Sequence, residues 1–282
     1  MNRNFRSWIA IAGAMACAAS AGATDIPRIG AIYYGKVLSA YGYPCAAADG
    51  VTVAAIKAGG GEAVHYDVGP LVGPGINYRL QVNVVASGSG GDGTAVPEGG
   101  AIQIRATAGG QPTHQIGDTN VVVASGAVVR RDFILGADAD GDGIPDEWEQ
   151  FAIAAMSSLG MAAGVTNIAQ FNPNADYDGD GYNNRQEFAA GTLPFLGNDS
   201  LRIDQVGQGS NGTVRIRFLG NQGFSYQINA SSNLVSGSWQ VARFGTDTLS
   251  PSANSVVSGE GTMQTVYFPT NGFKQFLRLI VK

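Results

Sequence analysis

The chain has 282 residues, with 22 acidic and 17 basic side chains and a formal net charge of −5 at pH 7. That length is enough to bury the cores of two small domains. Because the chain is acidic and has a single basic doublet, Arg130-Arg131, it lacks the positive surface of nucleic-acid-binding proteins, and no nucleic-acid partner is expected.

Residues 1–23 have the features of a cleaved export signal. Arg3 and Arg6 give a positive start, residues 8–19 are apolar, and Ala21-Gly22-Ala23 supplies the small side chains of a cleavage site. We therefore expect a mature chain that begins near Thr24 and is secreted or held at the cell surface. The apolar run is too short for a membrane span, and no later run reaches the length of about 18 residues that spanning needs. No membrane span is expected.

The chain has two cysteines, Cys17 and Cys45. An alternative use of the N-terminus is a lipid anchor on Cys17, although Ala14-Met15-Ala16 before it lacks the large aliphatic side chain usual at such sites. Cleavage of the signal leaves Cys45 alone, so no internal disulfide can form. We expect Cys45 to be a small buried side chain, with a reactive or intermolecular thiol as the alternative. Calcium is the expected substitute for the missing disulfides.

Residues 24–136 alternate strand-like runs with glycine-rich turns, a pattern that predicts a β-sandwich. The stretches Tyr34-Gly35-Lys36-Val37, 50–55 and 75–78 resemble bacterial immunoglobulin-like or transthyretin-like modules. This resemblance implies a domain that binds or spaces rather than one that catalyses. The predicted strands are residues 29–38, 51–57, 63–68, 78–86, 101–106 and 127–135.

Tyr41 and Tyr43 lie in a predicted loop of this domain, within Tyr-Gly-Tyr-Pro. Exposed aromatic rings in a loop can stack on sugar rings. The alternative function for the protein is therefore a carbohydrate-binding accessory protein that uses these two side chains. The competing interpretation is that tyrosines simply suit half-buried strands.

Residues 137–193 contain two copies of the twelve-residue calcium-loop pattern, in which alternate aspartates precede a glycine and a later glutamate. A hard cation such as Ca²⁺ needs about 6 to 8 oxygen ligands, which one curled loop can supply. Positions 1, 3 and 5 give carboxylates, position 7 a backbone carbonyl, position 9 an oxygen that often acts through water, and position 12 a bidentate glutamate. The predicted ligands of the first loop are Asp138, Asp140, Asp142, Ile144, Asp146 and Glu149. Those of the second loop are Asp176, Asp178, Asp180, Tyr182, Asn184 and Glu187.

The charge of this segment also indicates bound cations. Residues 138–187 hold ten acidic side chains and one basic side chain, Arg185. Carboxylates at this density repel one another unless a counter-ion is present. The predicted cofactor is therefore Ca²⁺ at two sites, and the ion-free segment is expected to be loose.

The segments beside the loops differ from the helix-loop-helix of a calcium sensor. A strand-like run, residues 128–135, precedes the first loop, and residues 170–174 precede the second, so neither loop has an incoming helix. A helix is predicted after each loop. Trp148 and Phe151 begin an apolar helical spacing after the first loop and are expected to pack beneath the loops, while Gly191 ends the second helix.

The two loops read Asp-Ala-Asp-Gly-Asp-Gly-Ile-Pro-Asp-Glu-Trp-Glu and Asp-Tyr-Asp-Gly-Asp-Gly-Tyr-Asn-Asn-Arg-Gln-Glu. Over residues 138–187 this resembles the thrombospondin type 3 repeats of secreted bacterial proteins, which implies calcium binding. The resemblance to dockerin modules is looser, because dockerins usually have Asp at position 12 and more closely spaced repeats. Cohesin binding is therefore not favoured.

Residues 194–200 are predicted as a linker and residues 201–282 as a C-terminal β module. Residues 224–228 and 276–281 are similar to a small β module that often follows thrombospondin-type repeats in exported bacterial proteins. Trp239 is predicted to lie in the core of this module. The predicted strands are residues 201–206, 213–219, 225–230, 239–244, 263–268 and 275–281.

The chain contains no local motif of a serine hydrolase or of a phosphate-binding loop. His65 and His114 are the only histidines, and each is predicted to be structural rather than a general base. The carboxylates expected to lie together are those assigned to calcium. We therefore predict a protein that is not an enzyme, with an enzyme of unrecognised type as a further alternative.

These patterns together predict a mainly β fold, in which two β-sandwich-like domains are joined by a two-loop calcium-binding segment with short helices. The predicted function is a secreted calcium-binding structural or adhesive protein of the cell surface or extracellular matrix, with calcium stiffening the segment between the domains. The expected partner is a cell-surface protein or polysaccharide. The sequence leaves the oligomeric state open.

Overall fold

The computed structural model describes residues 27–69, 73, 75–88, 93–161, 164–269 and 276–282. The export signal predicted at residues 1–23 and the lipid-anchor alternative at Cys17 lie outside these residues. Among the described residues, strands account for 41% and helices for 11%, so the fold is mainly β, as predicted. No helix in the described ranges has both the length and the apolar character needed to cross a membrane.

The first β module is built from three sheets. One has the strand order β11-β1-β5-β6, a second has the order β10-β7-β3-β4 with β8 beside β7, and a small third sheet has the order β2-β12-β9. The strands are β1 (Pro27–Gly35), β2 (Val37–Leu38), β3 (Val51–Lys57), β4 (Glu62–Asp67), β5 (Tyr78–Val85), β6 (Val96–Pro97), β7 (Ala101–Ala108), β8 (Gln111–Pro112), β9 (Gln115–Ile116), β10 (Asn120–Val122), β11 (Val128–Arg130) and β12 (Phe133–Leu135). A short 3₁₀ helix, Ala47–Asp49, precedes β3.

The core of this module lies between the two larger sheets. Residues of β5 alternate between buried and exposed, as expected of a strand with one face towards a core. Leu80 on β5 and Ile104 on β7 belong to one continuous apolar cluster. Cys45 lies in the same cluster with 4% of its surface exposed, and burial raises the pKa of its thiol to about 12. Cys45 is therefore a small buried side chain, as predicted.

The middle segment contains two helices, α1 (Asp146–Ser158) and α2 (Asn184–Ala190). The first loop follows β12, whereas a 3₁₀ turn, Ile168–Gln170, lies shortly before the second. Trp148 sits at the centre of a small separate core, where its ring meets Phe171 and Phe188 edge to face at centroid distances of 5.8 and 5.3 Å. The position of Trp148 beneath the loops is as predicted.

The prediction for Phe151 is wrong. This side chain remains 43% exposed, because it lies on the outer side of α1. Its ring meets Tyr41 of the first module at 6.2 Å and Phe195 at 5.8 Å, both edge to face. Phe151 therefore joins α1 to its neighbours instead of filling the core beneath the loops.

The C-terminal module has two sheets that enclose a second apolar cluster. One sheet has the order β13-β14-β18, and in the other β15 pairs with β16, β17 and β19. Phe218, Tyr226 and Val266 are fully buried between them. The strands are β13 (Ile203–Gln208), β14 (Thr213–Gly220), β15 (Ser225–Ser231), β16 (Gln240–Val241), β17 (Val256–Ser258), β18 (Thr262–Pro269) and β19 (Phe276–Val281).

The core position predicted for Trp239 is wrong. This residue lies just before the two-residue strand β16, at the rim of its sheet, and is only half-buried. Its ring is covered by the guanidinium group of Arg278, whose Cζ lies 4.5 Å from the ring centroid. A cation–π contact of this kind stabilises an aromatic ring at the surface without burying it.

The two β modules touch each other directly. The backbone N–H of Gly75 donates a hydrogen bond of 2.8 Å to Oγ of Ser225. The amino group of Lys36 donates to the carbonyl oxygen of Lys282 at 3.0 Å and lies 5.9 Å from the centroid of the Phe224 ring. The relative placement of the modules is therefore fixed by side chains of both, and not by the connecting chain alone.

Candidate metal centre

Each loop is folded by the carboxylate of its first aspartate. Asp138 accepts backbone hydrogen bonds from Gly141 at 2.8 Å, Asp142 at 3.1 Å and Gly143 at 3.0 Å. Three N–H donors on one carboxylate curl the backbone into a tight turn, with the following acidic side chains along its inner edge. The loop geometry is thus set by local hydrogen bonds between the motif residues themselves.

The second loop repeats this arrangement with nearly the same distances. Asp176 accepts hydrogen bonds from the backbone of Gly179 at 2.8 Å, Asp180 at 3.2 Å and Gly181 at 2.9 Å. These bonds, led by the one from Gly181, lower the pKa of Asp176 and keep it ionised. The position-6 glycines Gly143 and Gly181 have φ angles of +91° and +96°, which glycine adopts without strain.

The aspartates at positions 1, 3 and 5 come together in both loops. In each set, one carboxylate oxygen per residue lies within 4.8 Å of the others. The first set is Asp138, Asp140 and Asp142, and the second is Asp176, Asp178 and Asp180. Burial raises the pKa of Asp142 and of Asp178, and the neighbouring aspartates add to both shifts. Each set therefore concentrates negative charge that a cation would neutralise.

The glutamates at position 12 are supplied to the two sites by the helices that follow the loops. Glu149 and Glu187 occupy the fourth residue of α1 and of α2, so the first turn of each helix delivers a carboxylate to its loop. Their exposed fractions are 0% and 1%. None of their four carboxylate oxygens has a hydrogen-bond partner among the described residues.

These buried glutamates are costly to ionise in the ion-free protein. Burial, followed by the charge of the aspartates in the same loop, raises the pKa of both Glu149 and Glu187 to about 8. A buried carboxylate without partners is a feature that native proteins avoid unless it binds something. The donor set of each loop is made only of oxygen atoms, which suits a hard divalent cation. The residues present therefore fit such an ion at both loops.

The second loop matches the bacterial TSP3 repeat. The match to this thrombospondin type 3 family covers residues 176–194, which include the loop, α2 and the turn after it. Repeats of this family generally bind calcium. The first loop lies outside the matched residues but has the same hydrogen bonds around Asp138 as the TSP3 repeat has around Asp176. A comparison of the chain with curated proteins gave no match.

Positions 7 and 9 anchor the loops to their surroundings. Ile144 is fully buried in the small core that contains Trp148, while the hydroxyl of Tyr182 donates to the carbonyl of Leu201 at 2.8 Å. At position 9, a carboxylate oxygen of Asp146 accepts the backbone N–H of Ala139 at 2.8 Å. These contacts tie the TSP3 repeat to the C-terminal module and close the first loop on itself.

Asn184, at position 9 of the TSP3 repeat, is also poised for a ligand. Its Nδ2 donates to the carbonyl of Asn172 at 2.6 Å. Its Oδ1 is buried without a hydrogen-bond partner among the described residues. Because the amide nitrogen is committed to a carbonyl acceptor, the oxygen remains available as a ligand or as the acceptor for a bound water.

Sequence reasoning missed an acidic residue beside the TSP3 repeat. Asp199 lies in the stretch predicted as a linker, and its carboxylate accepts the backbone N–H of Leu193 at 3.1 Å. Burial raises the pKa of Asp199, with a smaller contribution from Asp180, and Asp199 in turn adds to the raised pKa of Glu187. The residue lies beyond the twelve-residue pattern, so no motif spacing could have identified it.

Neither histidine belongs to the two aspartate clusters found among the described residues. His65 is exposed and pairs with Glu62 at 2.6 Å, and the hydrogen bond that the Glu62 carboxylate accepts from the ring raises the pKa of His65. His114 lines a cleft of about 440 Å³ together with Asp138. The described lining of that cleft includes no serine, threonine or cysteine, so it places no hydroxyl or thiol nucleophile beside this histidine. That the protein is not an enzyme remains a prediction.

The raised pKa values of Glu149 and Glu187 predict an unusual pH dependence for the ion-free protein. Between about pH 4.5 and pH 8 the folded state retains protons that the unfolded chain has lost, so the free energy of unfolding falls as the pH rises. We expect the ion-free protein to melt at a lower temperature at pH 8 than at pH 5. With a bound cation the order reverses, because protons compete with the ion for the same oxygens.

Thermal unfolding at the two pH values, with and without Ca²⁺, measures this effect. The matched control is the double substitution Glu149→Gln and Glu187→Gln, which removes both titrating groups and should flatten the profile of the ion-free protein. A melting temperature that rises from pH 5 to pH 8 without Ca²⁺ would contradict the prediction.

Proposed function

We propose that this protein is an exported structural or adhesive protein in which Ca²⁺, bound at the two loops, locks two β modules into one arrangement. The oxygen-only donor sets and the buried, unpartnered glutamates support cation binding. The match to a calcium-binding repeat family supports calcium as the ion. The predicted export signal supports a location outside the cell, where free Ca²⁺ is high enough for sites with dissociation constants of about 10⁻⁴ to 10⁻³ M.

The observation on which the proposal chiefly rests is the position of α2 between the modules. The ring of Phe188 on α2 lies against Gly42 of the first module, where an added Cβ would come within 3.0 Å of the ring. At the end of α2, Asn221 of the C-terminal module donates to the carbonyls of Ala190 and Gly191 at 3.2 and 3.0 Å. One short helix, α2, therefore contacts both modules.

That helix also bears the position-12 glutamate of the TSP3 repeat. Glu187 precedes Phe188, so the residue that would hold the ion and the residue that contacts the first module are adjacent in α2. Gly191 ends the helix with a φ of +68°, and a side chain there would overlap the ring of Phe224. In the proposed mechanism, neutralising the buried charge of Glu187 stabilises α2 and with it the contacts on either side.

Calcium would act here as a bound counter-ion and not as a reactant. Carboxylates that repel one another in the ion-free loops would share a common positive charge. Because the modules also touch through Gly75 and Ser225, the bound state would have one preferred shape rather than a stiffened hinge.

Limited proteolysis of the full mature chain tests this function. We expect the chain to resist cleavage within residues 138–190 in Ca²⁺ and to be cut there after chelation, because the loops then contain uncompensated carboxylates. Small-angle scattering should show a less compact particle after chelation. Mg²⁺, which requires a tighter octahedral site, serves as the control ion. Equal cleavage of this segment with and without Ca²⁺ would rule out the proposed role.

The surroundings of Tyr41 and Tyr43 do not favour the carbohydrate alternative. Each side chain is about half exposed, at 50% and 48%. Tyr41 meets Phe151 edge to face at 6.2 Å, and Tyr43 meets Phe224 edge to face at 6.5 Å. Both tyrosines therefore contribute to the contacts between the first module and the rest of the chain.

A further inference from the structure

The two acidic loops share one small apolar core. Ile144, at position 7 of the first loop, is fully buried in it, and the rings of Trp148 and Phe188 are buried in the same cluster. Each ring is next in sequence to a position-12 glutamate, because Trp148 precedes Glu149 and Phe188 follows Glu187. The segments that would hold the two ions are therefore joined through a few shared side chains.

Trp148 contacts both ends of the second loop. Its ring meets Phe171, which lies before that loop, at a centroid distance of 5.8 Å, and Phe188, which lies on α2 after it, at 5.3 Å. Both contacts are edge to face, an arrangement that aromatic pairs favour. Phe171 in turn meets Tyr177, at position 2 of the second loop, at 5.5 Å. One side chain of α1 thus packs at the entry and at the exit of the second loop.

A second contact between the loops runs in the opposite direction. Arg185 belongs to α2, yet its guanidinium lies beside the first loop, where a Cβ added to Gly143 would come within 3.3 Å of Nη1. Burial raises the pKa of Asp142 in that loop, and the positive charge of Arg185 opposes the rise. The surroundings of the first loop therefore depend on the placement of α2, just as those of the second loop depend on α1.

Two opposing effects decide how one ion would influence the other. The first is repulsion, but the predicted ligands of each loop include at least four carboxylates, which outnumber the charge of one Ca²⁺, so a filled loop is not a positive centre. Salt weakens the remaining repulsion, with a Debye length of about 8 Å at physiological ionic strength. The second effect is ordering. Because the core is shared, the ion that binds first orders side chains that the second ion also needs, and this favours joint binding.

We infer that the two loops bind Ca²⁺ with positive cooperativity, and that the contacts of Trp148 with Phe171 and Phe188 carry the coupling. The inference rests on the proposed calcium function and adds that the modules are locked together over a narrow range of Ca²⁺ concentration. When Glu149 is held as a ligand, the first turn of α1 and Trp148 are held with it, and both ends of the second loop follow. Holding Glu187 acts in the reverse direction through Phe188. Since a coupling free energy is reciprocal, filling either site raises the affinity of the other by the same factor.

Calorimetric titration of the full mature chain with Ca²⁺, beside the single variants Glu149→Gln and Glu187→Gln, measures this coupling factor. Each substitution disables one site, so each variant gives the affinity of the other site alone. For independent sites, the product of the two stepwise association constants of the parent equals the product of these single-site constants. We expect the product for the parent to be larger by a factor of about five or more, from the low end of typical couplings upward.

Substitutions in the core test the route of the coupling. Phe188→Leu keeps an apolar side chain on α2 but removes the ring that Trp148 contacts. With the glutamate variants repeated in that background, the coupling factor should fall towards one while both sites still bind. Phe195→Leu is the matched control, because the Phe195 ring lies at the edge of the same core and meets Phe151, and it should leave the factor unchanged. Melting of the two β modules, which have cores of their own, checks that each variant is folded.

The outcomes separate this inference from the proposed function. A coupling factor of one, in a parent that binds two ions, would overturn the inference and leave the proposed function intact. A factor that stays high in Phe188→Leu, or that falls equally in Phe195→Leu, would overturn the role assigned to Trp148. A parent chain that binds no Ca²⁺ would overturn the proposed function and the inference together.

Discussion

Chelation of Ca²⁺ is expected to lower the free energy of unfolding of this protein by about 5 kcal/mol. An ion that binds only the folded state adds about 2.7 kcal/mol per site when its concentration is a hundred times the dissociation constant. Two loops with the same hydrogen bonds around Asp138 and Asp176 should contribute together. For a chain of this size the loss corresponds to a fall in melting temperature of roughly 10–20 °C.

The loss should not be uniform along the chain. The segment that carries the two loops has only a small core around Trp148, whereas each β module encloses a larger apolar cluster of its own. Without ions, the segment should unfold first and the modules later, which would appear in calorimetry as a separate transition at low temperature. Replacement of Ca²⁺ by Mg²⁺ should restore little of the stability. Melting curves that coincide with and without chelator would contradict the expectation.

The fold of the two acidic loops could be predicted from sequence because their geometry depends on neighbours in the chain. Asp138 reaches the N–H groups of Gly141 and Gly143 within five residues, and the glutamate of each loop lies one helical turn into the next helix. Strands with a buried and an exposed face were also recognisable, as in β5 and β14, because alternation is a local pattern.

Breaks in the strands were not recognisable, because they depend on residues far apart in the chain. The predicted strands 29–38 and 127–135 are each split in two, at Lys36 and at residues 131–132. The two breaks lie side by side: a carboxylate oxygen of Asp132 accepts the backbone N–H of Lys36 at 2.8 Å. The chain changes sheets at both places together, which neither stretch shows by itself.

The junction between the modules could not be predicted for the same reason. The hydrogen bond from Gly75 to Ser225 joins residues 150 positions apart, and nothing in either local sequence marks them as partners. Residues 194–200, predicted as a linker by their composition, form turns beside the second loop, where Gly197 lies against the carbonyl of Asp178. Within these turns the carboxylate of Asp199 accepts the backbone N–H of Leu193. The contact between the modules therefore could not be predicted from the sequence.

Replacing Glu187 with Gln should have opposite effects on the ion-free and the calcium-loaded protein. Without Ca²⁺, the substitution removes a buried carboxyl group whose pKa is raised to about 8, and its new amide can donate to the aspartates of the loop. The ion-free variant should then be more stable than the parent at pH 8, by on the order of 2 kcal/mol.

With Ca²⁺ the same substitution should be harmful. Loss of an outer partner of a metal ligand already lowers affinity about 10–100-fold, so loss of the bidentate ligand itself should cost about a hundredfold or more. The variant would then lose most of the roughly 2.7 kcal/mol that this site contributes. Calcium titration followed by calorimetry, together with melting curves at pH 8 in both states, measures the two effects on one variant.

Glu149→Gln is the matched comparison, because Glu149 has the same position and the same raised pKa in the first loop. Both variants should lose one calcium site and gain stability without the ion. Only Glu187→Gln should also loosen the junction, since α2 lies between Gly42 of one module and Asn221 of the other. Small-angle scattering in Ca²⁺ measures the looser junction as an expansion of the particle. If both variants expand equally, α2 has no special part in joining the modules. If the ion-free Glu187→Gln protein is less stable than the parent, the buried carboxylate does not lower the stability of the ion-free protein as inferred from its surroundings.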